Sequence, residues 1–171
     1  NVFIFEQTGK ETRERWQCGA ELIGVGSTIA DVELMILALE VLRRLKISGI
    51  ELRLSHAGLI RALLAKLGLS PGDQTRIFDQ ILDGDVDALT RLSPLGTLTG
   101  LKPGRPELGE ALSLLLNLKG KSFRLLKELK ALFTRNLPEL EPPLDNFISI
   151  VGLLEALGYD YQIDIASGRG F

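Results

Sequence analysis

The sequence predicts an α+β protein, with strands near both ends and a long helical block between them. Three observations carry that expectation. Apolar and polar residues alternate with period two over 13–23, 50–55 and 161–165. Apolar residues recur at helical spacing from about 28 to 46, and again through a Leu-rich stretch from 57 to 135. Turn-forming clusters (Gly24-Val25-Gly26, Ser48-Gly49, Pro71-Gly72, Asp83-Gly84 and Glu141-Pro142-Pro143) separate the segments.

Taken in order, residues 2–7 form a short apolar strand and Thr8-Gly9-Lys10 turns the chain. A second strand from Arg13 to Ile23 completes a β-hairpin. On it Trp16, Cys18, Ala20 and Leu22 face one way, and Arg13, Arg15, Gln17, Gly19 and Glu21 the other. Thr28 followed by Asp31 resembles a capping box and opens a helix running to about Lys46, with Val32, Met35, Leu39, Leu42 and Leu45 at apolar positions. Arg43, Arg44 and Lys46 suit its negative C-terminal end. Ile50, Leu52 and Leu54 alternate with Glu51, Arg53 and Ser55 as a third strand. Helices are expected near 57–67, 71–83, 85–92, 106–118 and 121–135, with the Pro- and Gly-rich loop 93–106 as a connector. A last helix spans about Leu144 to Leu157, and Tyr161, Ile163 and Ile165 mark a final strand.

A chain of 171 residues, 45% hydrophobic and 25% charged, can bury a core as one domain or as one domain with an insertion. Its 20 basic and 22 acidic residues leave a net charge of −2, so no field draws a nucleic-acid backbone and none is expected as partner. Cys18 is the single cysteine, which excludes an internal disulfide and a Cys-cluster zinc site and fits a reducing cytoplasm. No apolar run reaches the roughly 18 residues of a bilayer span, and no signal peptide opens the chain. Because Asn1 and Phe171 fall inside elements that need partners, the chain is expected to be a fragment of a larger core.

Several local patterns have plain readings. Gly19 and Gly24 have the spacing of a phosphate-binding loop, but Val25 stands where that loop needs lysine. Asp83-Gly84-Asp85-Val86-Asp87 hints at a calcium loop, yet the sharp-turn glycine falls on Ala88 and the bidentate acid on Pro94. His56, the lone histidine, has no second His or Cys for a zinc site and suits capping of the following helix better than catalysis. Lys119, Lys121, Arg124, Lys127 and Lys130, interleaved with Glu128, read as a solvated helix face. No metal or cofactor is expected. Gln17 and Glu21 stand apart, four residues from one another on one strand face with Gly19 between. That spacing leaves either a wet edge or a notch, flanked by an amide and a carboxylate, suited to an ammonium or imidazole group.

The string Arg13-Glu14-Arg15-Trp16-Gln17-Cys18-Gly19-Ala20-Glu21-Leu22-Ile23-Gly24 resembles the second strand of class II motif 2 in histidyl-tRNA synthetases. In order, Asn1 to Glu6 resembles the first motif 2 strand, Ala30-Asp31-Val32-Glu33 the start of the family's next helix, and Leu54 to Leu59 the entry to its insertion. Asp164-Ile165 through Arg169-Gly170-Phe171 resembles the family's histidine-specific stretch. The resemblance implies a class II synthetase-like antiparallel sheet with flanking helices. Residues 1–56 and 142–171 would form part of that core and 57–141 a helical insertion, with motifs 1 and 3 lying outside the chain. It also implies Arg13, Gln17, Glu21 and Arg169 as histidine contacts.

The departures select a branch. Ile4 stands where class II synthetases carry the motif 2 arginine that holds the α-phosphate of ATP, and Glu11 where their loop is basic. Keeping the amino-acid side and losing the ATP side is similar to the regulatory subunits of ATP phosphoribosyltransferase. Those synthetase-like proteins are non-catalytic and pair with a short-form catalytic subunit in histidine biosynthesis. The resemblance implies histidine as effector, a homodimer within a hetero-oligomer, and a cytoplasmic location. Two other readings stand beside it: a histidyl-tRNA synthetase core with a degenerate motif 2, and a synthetase-derived interaction module whose polar strand face is simply wet.

Overall fold

The computed structural model describes residues 2–3, 14–15, 18–67, 69–83, 85, 119–120, 123–133 and 137–165, the first two pairs by backbone alone. Contacts divide the chain into two compact units, Asn1–Lys46 and Ile47–Phe171, each holding its own small sheet.

In the first unit β1 (Val2–Phe3) runs antiparallel to β2 (Glu14–Arg15), Val2 opposite Arg15 and Phe3 opposite Glu14. The expected strand to Ile23 is not realised: residues 18–23 are irregular and exposed. Among the described residues no strand pairs with residues 18–23, and alternation by itself does not hold a strand extended in water.

Helix α1 spans Thr28–Arg44. Its cap lies one residue before the expected Thr28. Ser27 is extended (φ −126°, ψ 152°) and its Oγ accepts the Ala30 N–H at 3.3 Å, so Thr28 becomes the first helical residue. Asp31 in the first turn and Arg43 and Arg44 in the last complement the helix dipole. Lys46 leaves the helix in the left-handed region at φ 59°, its N–H on the Arg43 carbonyl. Glu40 accepts from Arg43 at 2.7 Å and from Arg44 at 2.9 Å. These hydrogen bonds, the Arg43 bond first, lower its carboxyl pKa from 4.5 to about 2.

A depressed folded-state pKa places the Glu40 contribution above the unfolded value of 4.5 and removes it as pH falls toward about 2. The Glu40 side chain lies at the helix surface, where solvent screens the pairs, so the effect is small. Amide shifts of residues 36–44 should report fraying of α1 across that window in the wild type and none attributable to this site in Glu40→Gln.

The second unit runs β3 (Arg53–Leu54), α2 (Ala57–Lys66), α3 (Pro71–Leu82), β4 (Lys119–Gly120), α4 (Phe123–Phe133), a 3-10 turn (Pro138–Leu140), α5 (Glu141–Ala156) and β5 (Gln162–Asp164). The helices expected near 85–92 and 106–118, and loop 93–106, lie outside the described residues apart from Asp85. Helix α3 begins as its sequence dictates. Pro71 occupies the first turn and the Ser70 hydroxyl accepts the Asp73 N–H at 3.2 Å. Ser70 also donates to the Asp73 carboxylate at 2.7 Å, and that bond, then Arg76, draws the Asp73 pKa down.

Helices α4 and α5 pack together, and α2 packs on α3, on the 3-10 turn and on α5. Apolar spacing on each helix supplies the buried face: Leu59, Ile60, Leu63 and Leu64 on α2, Ile77 and Ile81 on α3, Leu126, Leu129 and Phe133 on α4, and Leu144, Phe147, Val151 and Leu154 on α5. Lys130 of α4 reaches Asp145 at 2.5 Å and Glu141 at 3.4 Å on α5. The Asp145 bond, foremost, raises the lysine pKa.

The sheet of this unit has the order β3-β5-β4, with β5 in the middle. It is mixed, whereas an antiparallel sheet is expected. β4 runs antiparallel to β5, but β3 runs parallel to it, Leu54 opposite Ile163. The helices between β3 and β5 provide the crossover that a parallel pair requires and a hairpin cannot. Among the described residues no helix is long and apolar enough to cross a membrane.

Candidate functional site

Of the four expected ligand contacts, Glu21 alone lies among the described residues. It is exposed, on an irregular segment and not on a strand face. Beside it Gly19 has no atom of the described residues within 4 Å of where a Cβ would stand. Arg13, Gln17 and Arg169 lie outside the described residues, as do Ile4 and Glu11.

The best-defined polar cluster gathers where β3 and β5 end. Ser55 follows β3 and donates its hydroxyl to the Ile165 carbonyl, just past β5, at 2.9 Å. His56 occupies the N-cap position of α2 with extended backbone, but its side chain makes no capping bond, contrary to expectation. Its Nε2 instead meets Asn146 Oδ1 of α5 at 3.0 Å. The imidazole tilts against the Phe147 ring, centroids 5.5 Å apart, and its Nδ1 is buried without a hydrogen-bond partner.

Gly58 is required by that imidazole. A Cβ at this position would stand 2.8 Å from His56 Cε1 and 3.1 Å from Nδ1. In an open helix Gly→Ala stabilises by about 1 kcal/mol. Here the clash displaces the ring from Asn146, and overpacking of this kind costs about 1–3 kcal/mol. Gly58→Ala should therefore lower the denaturation midpoint, and Gly72→Ala, whose Cβ would meet nothing within 4 Å, should not.

Asp164 was not singled out by the sequence as a buried acid. It sits in the central strand with its side chain 11% exposed. Lys119 of β4 approaches Oδ2 at 3.5 Å, and Oδ1 is buried without a hydrogen-bond partner. The signal available was an acid between two core positions, Ile163 and Ile165, in a strand flanked on both sides. Nearby, the buried Tyr161 donates to Glu155 at 2.5 Å; burial, reinforced by that carboxylate, pushes the hydroxyl pKa up. Tyr161 and Glu155 line an open recess of about 340 Å³ with Gly158, Tyr159 and Asp160. Among the described residues no group of three or more His, Cys, Asp or Glu side chains is placed to hold a metal ion.

The chain belongs to the histidyl-tRNA synthetase family, whose model matches residues 3–171. Its relatives include proteins of two kinds. ATP phosphoribosyltransferase regulatory subunits from two strains of Dehalococcoides mccartyi are 49% and 48% identical over the whole chain. A histidine–tRNA ligase from Methanococcus vannielii is 30% identical over 99% of the chain and 38% of its own length. The chain spans 39% of the length of the Dehalococcoides proteins. No solved structure matches it.

Proposed function

We propose that the chain belongs to a non-catalytic regulatory subunit of ATP phosphoribosyltransferase, which supports the short-form catalytic subunit in histidine biosynthesis and mediates feedback by histidine. The observation that carries this reading is the 49% identity to regulatory subunits, against 30% to a ligase, over nearly the same residues. Ile4 supports it from the sequence, because an isoleucine offers neither charge nor donor to an ATP phosphate. Residues 1–56 and 142–171 are the class II core in this reading and 57–141 its insertion. Arg13, Gln17, Glu21 and Arg169 are the histidine contacts. The subunit is a cytoplasmic homodimer within a hetero-oligomer, and histidine acts by binding one state of that assembly more tightly than another.

Two measurements on the native polypeptide that contains this chain test the proposal. Calorimetric titration with histidine, with and without the catalytic subunit, should show binding. Histidine-dependent pyrophosphate exchange should be absent. Measurable exchange would instead establish the alternative, a histidyl-tRNA synthetase core activating histidine with ATP, which the similarity to ligases also supports.

A further inference from the structure

The turn between α5 and β5 holds a recess that the histidine reading does not use. Helix α5 is capped by Leu157, and the next two N–H groups fold back onto it. Gly158 donates to the Glu155 carbonyl at 3.0 Å and Tyr159 to the Leu154 carbonyl at 2.9 Å. That turn needs the left-handed backbone of Gly158, at φ 77°. Tyr159 and Asp160 follow, and Tyr161 returns to the core, 5% exposed. Glu155, Gly158, Tyr159, Asp160 and Tyr161 line about 340 Å³ of open recess.

The chemistry of the recess starts from Glu155. A glutamate in the last turn of a surface helix ordinarily turns freely in water, but here the buried Tyr161 hydroxyl donates to its Oε1 at 2.5 Å. Burial, and then the carboxylate itself, push the phenol pKa up, so the hydroxyl remains a donor. Oε2 is left with no hydrogen bond or ion pair among the described residues. Asp160 adds a second carboxylate and Tyr159 a half-buried aromatic ring. The negative end of the α5 dipole lies at the same place. Arg43 and Arg44 answer that end in α1, Lys66 in α2 and Lys130 in α4, whereas the last turn of α5 carries no basic residue. Two carboxylates are too few for a metal ion, and no group of three or more ligating side chains is found among the described residues. At about 340 Å³ the recess lies at the small end of ligand pockets, which run roughly from 300 to 1,000 Å³.

We propose that this recess binds an organic cation, the ammonium or guanidinium head of a small amine or of a partner's basic side chain. Glu155 is the principal contact, and Tyr159 offers the face of a ring to the same charge. Tyr161 is a positioning residue: it touches the ligand's site only through the carboxylate it holds.

The native polypeptide that contains this chain is titrated with n-butylguanidinium, with n-butylammonium and with neutral n-butanol, and binding is read by saturation-transfer NMR. Both cations should bind and the alcohol should not. Glu155→Gln keeps an acceptor for Tyr161 and removes the charge; it should weaken cation binding about tenfold or more. Tyr161→Phe keeps the ring in the core and frees the carboxylate, which should cost roughly two- to tenfold in affinity through lost preorganisation. Its melting temperature is measured in parallel, and should it fold poorly the surface variant Glu155→Gln still decides. A capped Gly-Arg-Gly peptide separates the two sources: tighter binding than n-butylguanidinium assigns the site to a partner's side chain, and equal binding to a free cation. Cations that bind no better than n-butanol, or as well to Glu155→Gln as to the wild type, would overturn the site and leave the histidine reading untouched.

Discussion

Replacing Phe147 by alanine should lower the stability of the second unit by about 3–5 kcal/mol. Phe147 is 1% exposed and heads the large, fully buried side chains. It sits in α5, the helix that meets α4, α2 and the 3-10 turn, and its ring also supports the His56 imidazole. Truncation removes the apolar transfer energy of the ring and leaves a cavity between elements held by several partners, which limits collapse around it. Alanine's better helix propensity, about 0.5 kcal/mol, does not offset that loss. Leu132→Ala, at a position 55% exposed, should fall within about 0.5 kcal/mol of wild type. Urea denaturation separates the two: the Phe147 variant's midpoint drops with little change in slope. A loss below about 1 kcal/mol would mean that α5 is not the centre of this core.

The helices were legible because their information is local. Spacing of apolar residues and the Pro71 and Pro142-Pro143 signals place α2, α3, α4 and α5 within a few residues of their observed limits. Even the error at α1 is local, since Ser27 and Thr28 are both good caps and only backbone geometry decides between them. Strands were less legible because pairing is non-local. The alternation over 13–23 says which residues share a face, but not which strand, if any, they pair with. Likewise, nothing in Leu54 or Ile163 announces that their strands run parallel. The same limit governs the candidate site. His56 alone reads as a cap, and its role changes only when Asn146, 90 residues on, arrives beside it. Asp164 reads as one polar residue in an apolar strand until β3 and β4 close on both its sides. Gln17 and Glu21 were singled out by their spacing on an expected strand face and tied to histidine by the motif they resemble, a kind of information that folding physics does not supply.

Glu21→Ala and Gln17→Ala should each weaken histidine binding by the native polypeptide at least about tenfold, and together about a hundredfold or more. A hydrogen bond to a charged group is worth about 1.5–3 kcal/mol, and every 1.4 kcal/mol is a factor of ten. Histidine offers donors on its ammonium and its imidazole. A carboxylate can accept from either with charge assistance, and an amide can both accept and donate. Glu21 is exposed and Gly19 has no atom of the described residues near where a Cβ would stand, so neither substitution at 21 nor a ligand beside it disturbs packing among the described residues. Glu21→Ala should accordingly leave the melting temperature nearly unchanged, and its effect on titration can be assigned to the ligand. Glu21→Gln refines the assignment: it keeps an acceptor but loses the charge, so an intermediate affinity points to a cationic partner group. The competing view, an interaction module with no ligand whose polar face is simply wet, expects Gln17→Ala and Glu21→Ala to alter neither regulation nor binding. A wild type that binds histidine while Glu21→Ala binds it equally well would remove Glu21 from the site.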